Sequence, residues 1–336
     1  MKSLQKNKIA YIYCTALALL VVSIALGVLL GSTRLNLPSA MTDILGGNTD
    51  STDARILIYV RLPRVLSALI CGMALATSGA VIQGVLANRL ASPSIIGVNA
   101  GAGLAVTLCS ALGLLGGWQL SLFSFVGAFA AVLLVSIGAK KWGASRGTVI
   151  LMGVALNALL GAISDTVTTF APEVSMIMRN DFKIGDFSAV TYTHVLPAAA
   201  LILIAILVLS TLSNDLDVLM LGDENAKGLG LNTGMMRVVF LLLSALLAGA
   251  AVSVCGLLSF VGLLVPHAVR RIGISESKHL IPLCAIFGAG FVTLCDTIAR
   301  VLFAPYELPV GIIMAFLGAP FFIFILLRGK GGHKNA

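Results

Sequence analysis

Charge is scarce in this chain. Only 11% of its 336 residues are charged, against 58% apolar, and the mean hydropathy is +1.04. A soluble domain could not hide that much apolar surface in one core, so the chain reads as an integral membrane protein. Segments alternating polar and apolar residues are also missing, which argues against a transmembrane barrel. The six cysteines (Cys14, Cys71, Cys109, Cys255, Cys284 and Cys295) all fall in apolar runs with no CxxC pair, and the four histidines lack ligand spacing. Small buried hydrophobes explain such cysteines better than metal or disulfide chemistry. No GxxxxGK[ST] loop, HExxH, paired acids or Ser/His/Asp set occurs. Nothing therefore points to a catalytic residue, a cofactor or a metal site, and a membrane-embedded enzyme has no support.

What the chain does have is long apolar runs. A helix needs roughly 20 apolar residues to cross a hydrocarbon core about 30 Å thick. Ten runs qualify or nearly qualify: 9–30, a second starting near Arg64 in "RLPRVLSALICGMALATSGAVIQGVLA", then 93–112, 118–139, 147–170, 192–213, 234–255, 257–270, 279–301 and 309–328. Lys2, Lys6 and Lys8 precede the first and invite a signal-peptide reading. That run exceeds the roughly 7–15 residues of a signal core and no A-x-A site follows, so a first span is expected. The eighth run is too short to cross comfortably, and Pro266 near its end favours a tilted or re-entrant piece. The fold class expected is an all-α membrane protein of about ten transmembrane helices, forming one transmembrane domain over 1–336.

Cytoplasmic loops retain Lys and Arg, which orients the chain. With the N-terminus inside, most of the 22 basic residues fall inside, among them Arg89, Lys140, Lys141, Arg146, Lys227, Arg237, Arg270, Arg271, Lys278, Arg328, Lys330 and Lys334. Arg34, Arg55, Arg61, Arg64, Arg179, Lys183 and Arg300 stay outside beside at least as many acids. Both termini are then cytoplasmic. The net charge of +8 follows from this topology and membrane lipid, and calls for no nucleic-acid partner. The same count puts "LGDENAKGLGLN", Leu221 to Asn232, on the cytoplasmic side within a loop of about 214–233. There Ala226, Leu229 and Leu231 can present an apolar edge to a soluble partner while Asp223, Glu224 and Lys227 stay hydrated. Gly228 and Gly230 permit a close turn. An ordinary solvated loop is the plainer alternative.

Other residues stand out with two readings each. Arg61, Arg64 and Arg300 lie at outer helix ends, where arginine is disfavoured. They suit carboxylate docking through their planar donor forks, or headgroup anchoring, or for Arg300 an i,i+4 pair with Asp296. Asp165 falls within a span, facing either a watery cavity or the outer surface. His267 could relay protons, but a structural turn beside Arg270 and Arg271 is the simpler expectation. "GAVIQGVLANRLASPSIIGVNAGAG", Gly79 to Gly103, is rich in small residues, which let helices approach closely.

Taken in order, "RLPR", "SGAVIQGVLANRLASPSIIGVNAGAG", "LGDENAKGLGLN", "GLLSFVGLLVPHAVR", "CDTIAR" and "ELPVGIIMAFLGAPFFIFIL" resemble the signatures of the iron-siderophore, heme and cobalamin permeases of ABC importers. The resemblance covers most of the chain. It implies a permease dimer, a homodimer being expected, with two cytoplasmic ABC ATPases and an extracytoplasmic substrate-binding protein, in the cell (inner) membrane. It further implies binding-protein docking at Arg61, Arg64 and Arg300. ATPase coupling falls to Leu221, Gly222, Asp223, Glu224, Ala226, Gly228, Leu229, Gly230 and Leu231. A cytoplasmic gate is implied at Asn88, Leu90, Ser145 and Arg146, and a pathway helix carrying Asp165. The chain departs from the family in reading Asn88-Arg89-Leu90-Ala91 where N-P-L-A is usual, and in lacking a tryptophan in "NDFKIGDFSAVTY". An ion-driven secondary transporter with Asp165 as coupling carboxylate is the rival reading.

Overall fold

The computed structural model describes residues 2–114, 117–141, 145–170, 180 and 182–329. Arg179, Lys330 and Lys334 of the charge pattern lie outside them. Every regular element among the described residues is helical. In chain order these are α1 (Lys2–Leu29), α2 (Leu37–Leu45), α3 (Thr52–Arg55), a π-helical turn (Ile56–Arg61), α4 (Leu62–Val85), a 3-10 turn (Pro93–Ile96), α5 (Val98–Ala111), α6 (Gly117–Lys141) and α7 (Arg146–Phe170). There follow α8 (Tyr192–Thr211), α9 (Ser213–Met220), α10 (Asp223–Gly228), α11 (Thr233–Cys255), α12 (Val261–Arg271), α13 (Ser277–Val301) and α14 (Val310–Gly329).

Seven helical stretches are long and apolar enough to cross a membrane: Asn7–Leu29, Thr52–Val85, Trp118–Ala139, Arg146–Phe170, Tyr192–Thr211, Thr233–Cys255 and Ser277–Val301. Of the other expected spans, Val98–Ala111 and Val310–Ile323 are shorter apolar pieces, and α12 is an 11-residue helix. At 1.5 Å per residue α12 covers roughly half of the hydrocarbon thickness.

The second span begins earlier than the sequence suggests. Ser51 caps α3 by accepting from the Ala54 amide at 3.3 Å, and the helical path then continues through the π turn into α4. Arg55 to Arg61, expected as outer loop, is therefore helix. The wider π turn ends at Arg61, whose side chain reaches the end of α1.

α4 is the central helix, buried at nearly every position from Pro63 to Val85. α13 packs along one side of it and α11 along another, while α6 bridges α11 to α5 and α1 lies against α13. Apolar lipid offers helices no hydrophobic reason to associate, so close fit must hold them. Gly72 of α4 and Gly288 of α13 supply it: a Cβ on Gly72 would stand 2.2 Å from the Gly288 carbonyl oxygen. Gly79 meets Gly262 of α12 at 1.9 Å on the same construction, which accounts for the small-residue stretch as packing.

Backbone between α11 and α12 is irregular, with Phe260 left-handed at φ 67°. Its polar groups find partners inside the protein. The Leu257 amide donates to Phe182 O at 2.9 Å, the Asp186 amide to Cys255 O at 3.0 Å, and the Gly311 amide to Gly185 O at 3.2 Å. Such pairing is what non-helical backbone at membrane depth requires.

Candidate functional site

At one end of the bundle the three singled-out arginines come together, but turned inward. Arg61, Arg64 and Arg300 are 2–4% exposed. Arg61 donates to the carbonyls of Val28, Leu29 and Thr33 at 2.6–2.7 Å, closing the orphan carbonyls at the end of α1. Arg64 sits 3.0 Å from Asp296, and Arg300 holds the same carboxylate at 3.1 Å, so the i,i+4 pair is formed. Arg300 also donates to Gly27 O at 3.0 Å. Asp296 is wholly buried between two cations.

Above this layer lie two partly exposed acids that sequence reasoning did not single out. Glu307 pairs with Arg64 and takes a hydrogen bond from Ser32, and Asp186 stands 3.9 Å from Arg64. Burial pushes the Glu307 carboxyl up, but the Ser32 hydroxyl and the Arg64 guanidinium outweigh it and hold it below the usual glutamate value. One Arg64 nitrogen, Nη2, is buried without a hydrogen-bond acceptor. A carboxylate arriving from solvent meets Glu307 and Asp186 before it meets an arginine.

At the other end, α9, Gly222 and α10 form a bent, charged insert. Gly222 has φ 103°, which places α10 across the end of α9. Asn232 caps α11 by accepting from Met235 N at 3.1 Å, and Arg237, nearly buried, reaches back to Asp223 at 2.5 Å. The apolar edge differs from expectation in detail. Ala226 is fully buried, and Leu231 packs half-buried on the core. Leu221 and Leu229 instead face outward, 58% and 66% exposed. Glu224, Lys227, Gly228 and Gly230 are exposed, as a solvated or docking surface needs. Asp217, unremarked in the sequence, accepts from the Ser277 amide and hydroxyl and so fixes the start of α13.

The expected gate residues lie on this same end. Asn88 takes the Leu90 amide at 2.9 Å in the turn after α4, and Leu90 is exposed. Ser145 caps α7 through the Thr148 amide at 3.1 Å, and Arg146 donates to Leu219 O of α9 at 2.9 Å, tying α7 to the charged insert. Asp165 is exposed on α7, whose apolar surface is mostly uncovered. His267 lies inside α12 rather than in a turn, edge-on to Phe321 with centroids 6.2 Å apart.

Among the described residues the molecule is a bundle of membrane-length helices with a charged insert at one end, the build of a multi-pass membrane protein. The chain belongs to the FecCD transport family, whose model matches residues 19–328. It is 38% identical to the hemin transport system permease protein HmuU of Yersinia pestis, covering 84% of this chain and 87% of the relative. It is 35% identical to the vitamin B12 import permease BtuC of Yersinia enterocolitica (83% and 84%), and 34% to a Bacillus subtilis Fe(3+)-citrate import permease, YfmD (83% and 84%). A solved structure described as the inward-facing conformation of a metal-chelate type ABC transporter superposes with a TM-score of 0.83 at 28% identity, covering 95% of this chain and 99% of the other. The protein is accordingly a transport subunit and no enzyme, ATP hydrolysis lying in a separate partner subunit.

Proposed function

We propose that this chain is the membrane permease of an ATP-driven importer for a metal chelate, heme or corrinoid, working as a homodimer with two cytoplasmic ATPases and an external binding protein. The relatives named for hemin, vitamin B12 and Fe(3+)-citrate support the cargo class. Ten membrane segments with both termini inside belong to this reading, the short α5, α12 and α14 among them, α12 reaching only part of the way across.

The observation that carries the reading is the exposed pair Leu221 and Leu229 on an insert braced by the Arg237–Asp223 contact, the Asn232 cap and the Arg146 tie. An apolar pair left in water on a rigid mount suits insertion into a cleft of a partner. Closing of the ATPases would push this mount. Arg146 would pass the motion to α7, and Asp217 to α13, which runs the depth of the bundle to Asp296 and Arg300. Asn88, Leu90, Ser145 and Arg146 then bound the cytoplasmic exit, while Asp165 lies on a helix that lines the path between the two copies. Outside, Arg61, Arg64 and Arg300 would take part in docking only where carboxylates of the binding protein displace Glu307.

Leu221→Asp with Leu229→Asp tests the inner contact. Purification should yield a folded permease stripped of its ATPases, and uptake should stop. If two ATPases still co-purify and hydrolysis stays coupled, the contact lies elsewhere. A thiol at Asn225→Cys should react with a membrane-impermeant reagent only after the cells are opened; labelling in intact cells would invert the topology.

A further inference from the structure

At the inner end of the central helix, four basic side chains converge. Arg89, His267, Arg270 and Arg271 line a cavity of about 220 Å³. Arg89 lies in the turn after α4 that Asn88 fixes through the Leu90 amide. Arg270 is drawn inward by neutral groups alone: it donates to the Gln83 side-chain oxygen and, at 3.4 Å, to Ala80 O. Gln83 is itself buried and anchored to Gly262 O at 3.0 Å. Among the described residues, Arg89, Arg270 and Arg271 form no ion pair. The charged groups that bear on His267 are Arg271, Arg89 and Arg270, all cationic.

Retention of positive charge inside explains the sign of these residues but not their convergence, since charges scattered in solvated loops satisfy that rule equally well. Gathering three guanidiniums around one cavity, Arg270 partly buried and Arg89 and Arg271 exposed, sets like charges together, a repulsion that an anion offsets, and the arginine fork matches a carboxylate. The geometry points to an oxyanion-receiving site at the cytoplasmic exit, taking a carboxylate of the outgoing cargo. This rests on reading Asn88 and Leu90 as the exit, and it narrows the cargo to a carboxylate-bearing chelate such as ferric citrate or hemin. A lipid headgroup is a poorer occupant, because the cavity closes the end of α4, the most enclosed helix, rather than that of the outlying α1 or α8.

Phenylglyoxal labelling of arginines, read by mass spectrometry on the permease–ATPase complex in phosphatidylcholine nanodiscs, tests this. Ferric citrate or hemin should slow labelling of Arg89 and Arg271 together, by about tenfold at ten times the half-protecting concentration. Hemin dimethyl ester, in which both carboxylates are capped, should not protect. Arg270→Gln should abolish protection, and Arg89→Gln, at an exposed position, should abolish it at Arg271 in a chain that still folds. Protection by neither chelate overturns the site. So does protection seen only when phosphatidylglycerol is added, or an Arg89 already inert because a partner subunit covers it. Cross-linking of Asn88→Cys between the two copies tests the exit separately. Its failure beside intact protection would sink the exit reading and leave the anion site standing.

Discussion

Asp296 is the residue on which the arginine end of the bundle depends. It bridges two guanidiniums in a place with almost no solvent, and breaking a buried pair from one side leaves the other charge without compensation. Asp296→Asn should therefore cost about 3–5 kcal/mol, read as a large fall in thermal unfolding temperature in detergent; an unchanged transition would mean the cluster is dispensable. Reversing Arg61 and Arg64 cannot report on docking alone, since both hold the fold. Glu307 gives the cleaner test. It competes for Arg64 from a partly exposed position, where such a pair is worth at most about 1 kcal/mol. If a binding-protein carboxylate takes its place, Glu307→Ala should tighten docking by up to roughly fivefold, as that energy allows. Equal affinities would remove Arg64 from the docking surface.

Helices here are held by contact distance. Gly288→Val would place a Cβ 2.3 Å from the Gly72 carbonyl oxygen, so α4 and α13 must move apart and both central faces lose their fit. Sharply reduced yield of folded protein is expected by size-exclusion chromatography. Gly161→Ala, on the uncovered face of α7 with nothing within 4 Å of the new Cβ, should leave yield and stability unchanged or slightly improved. Equal behaviour of the two variants would show that the glycine contacts do not set the packing. Periodicity and run length made the existence of most helices legible, because a span is local and needs only apolar length. The π turn before α4 was not legible, since its last residue, Arg61, is held by carbonyls 28 to 33 residues earlier in the chain.

At the scale of the whole molecule, α7 is the least covered of the membrane-length helices among the described residues. Leu151, Val154, Leu159, Ile163 and Phe170 face outward along it, with Asp165 among them. A second copy would cover this face and enclose Asp165 in a shared path. Leu159→Cys, in a chain with its native cysteines replaced, should form a disulfide-linked dimer in membranes, seen as a doubled mass on a non-reducing gel. A matching cysteine at Leu203 on α8 should not. The reverse pattern would place the dimer contact on α8 and turn α7 toward lipid.

Residue order alone determined that this chain is a membrane bundle, and it marked the charged insert after the sixth apolar run as the piece to watch. Those properties depend on composition and on charge counted along the chain. Only tertiary structure decided that Arg61, Arg64 and Arg300 point inward, that Leu221 is exposed on the insert where Ala226 is buried, and that Glu307, Asp217 and Arg237 are structural partners. Each of those depends on which distant segment a side chain meets, and a buried ion finds its counter-charge wherever the fold brings one within about 3 Å. Sequence separation carries no trace of that distance.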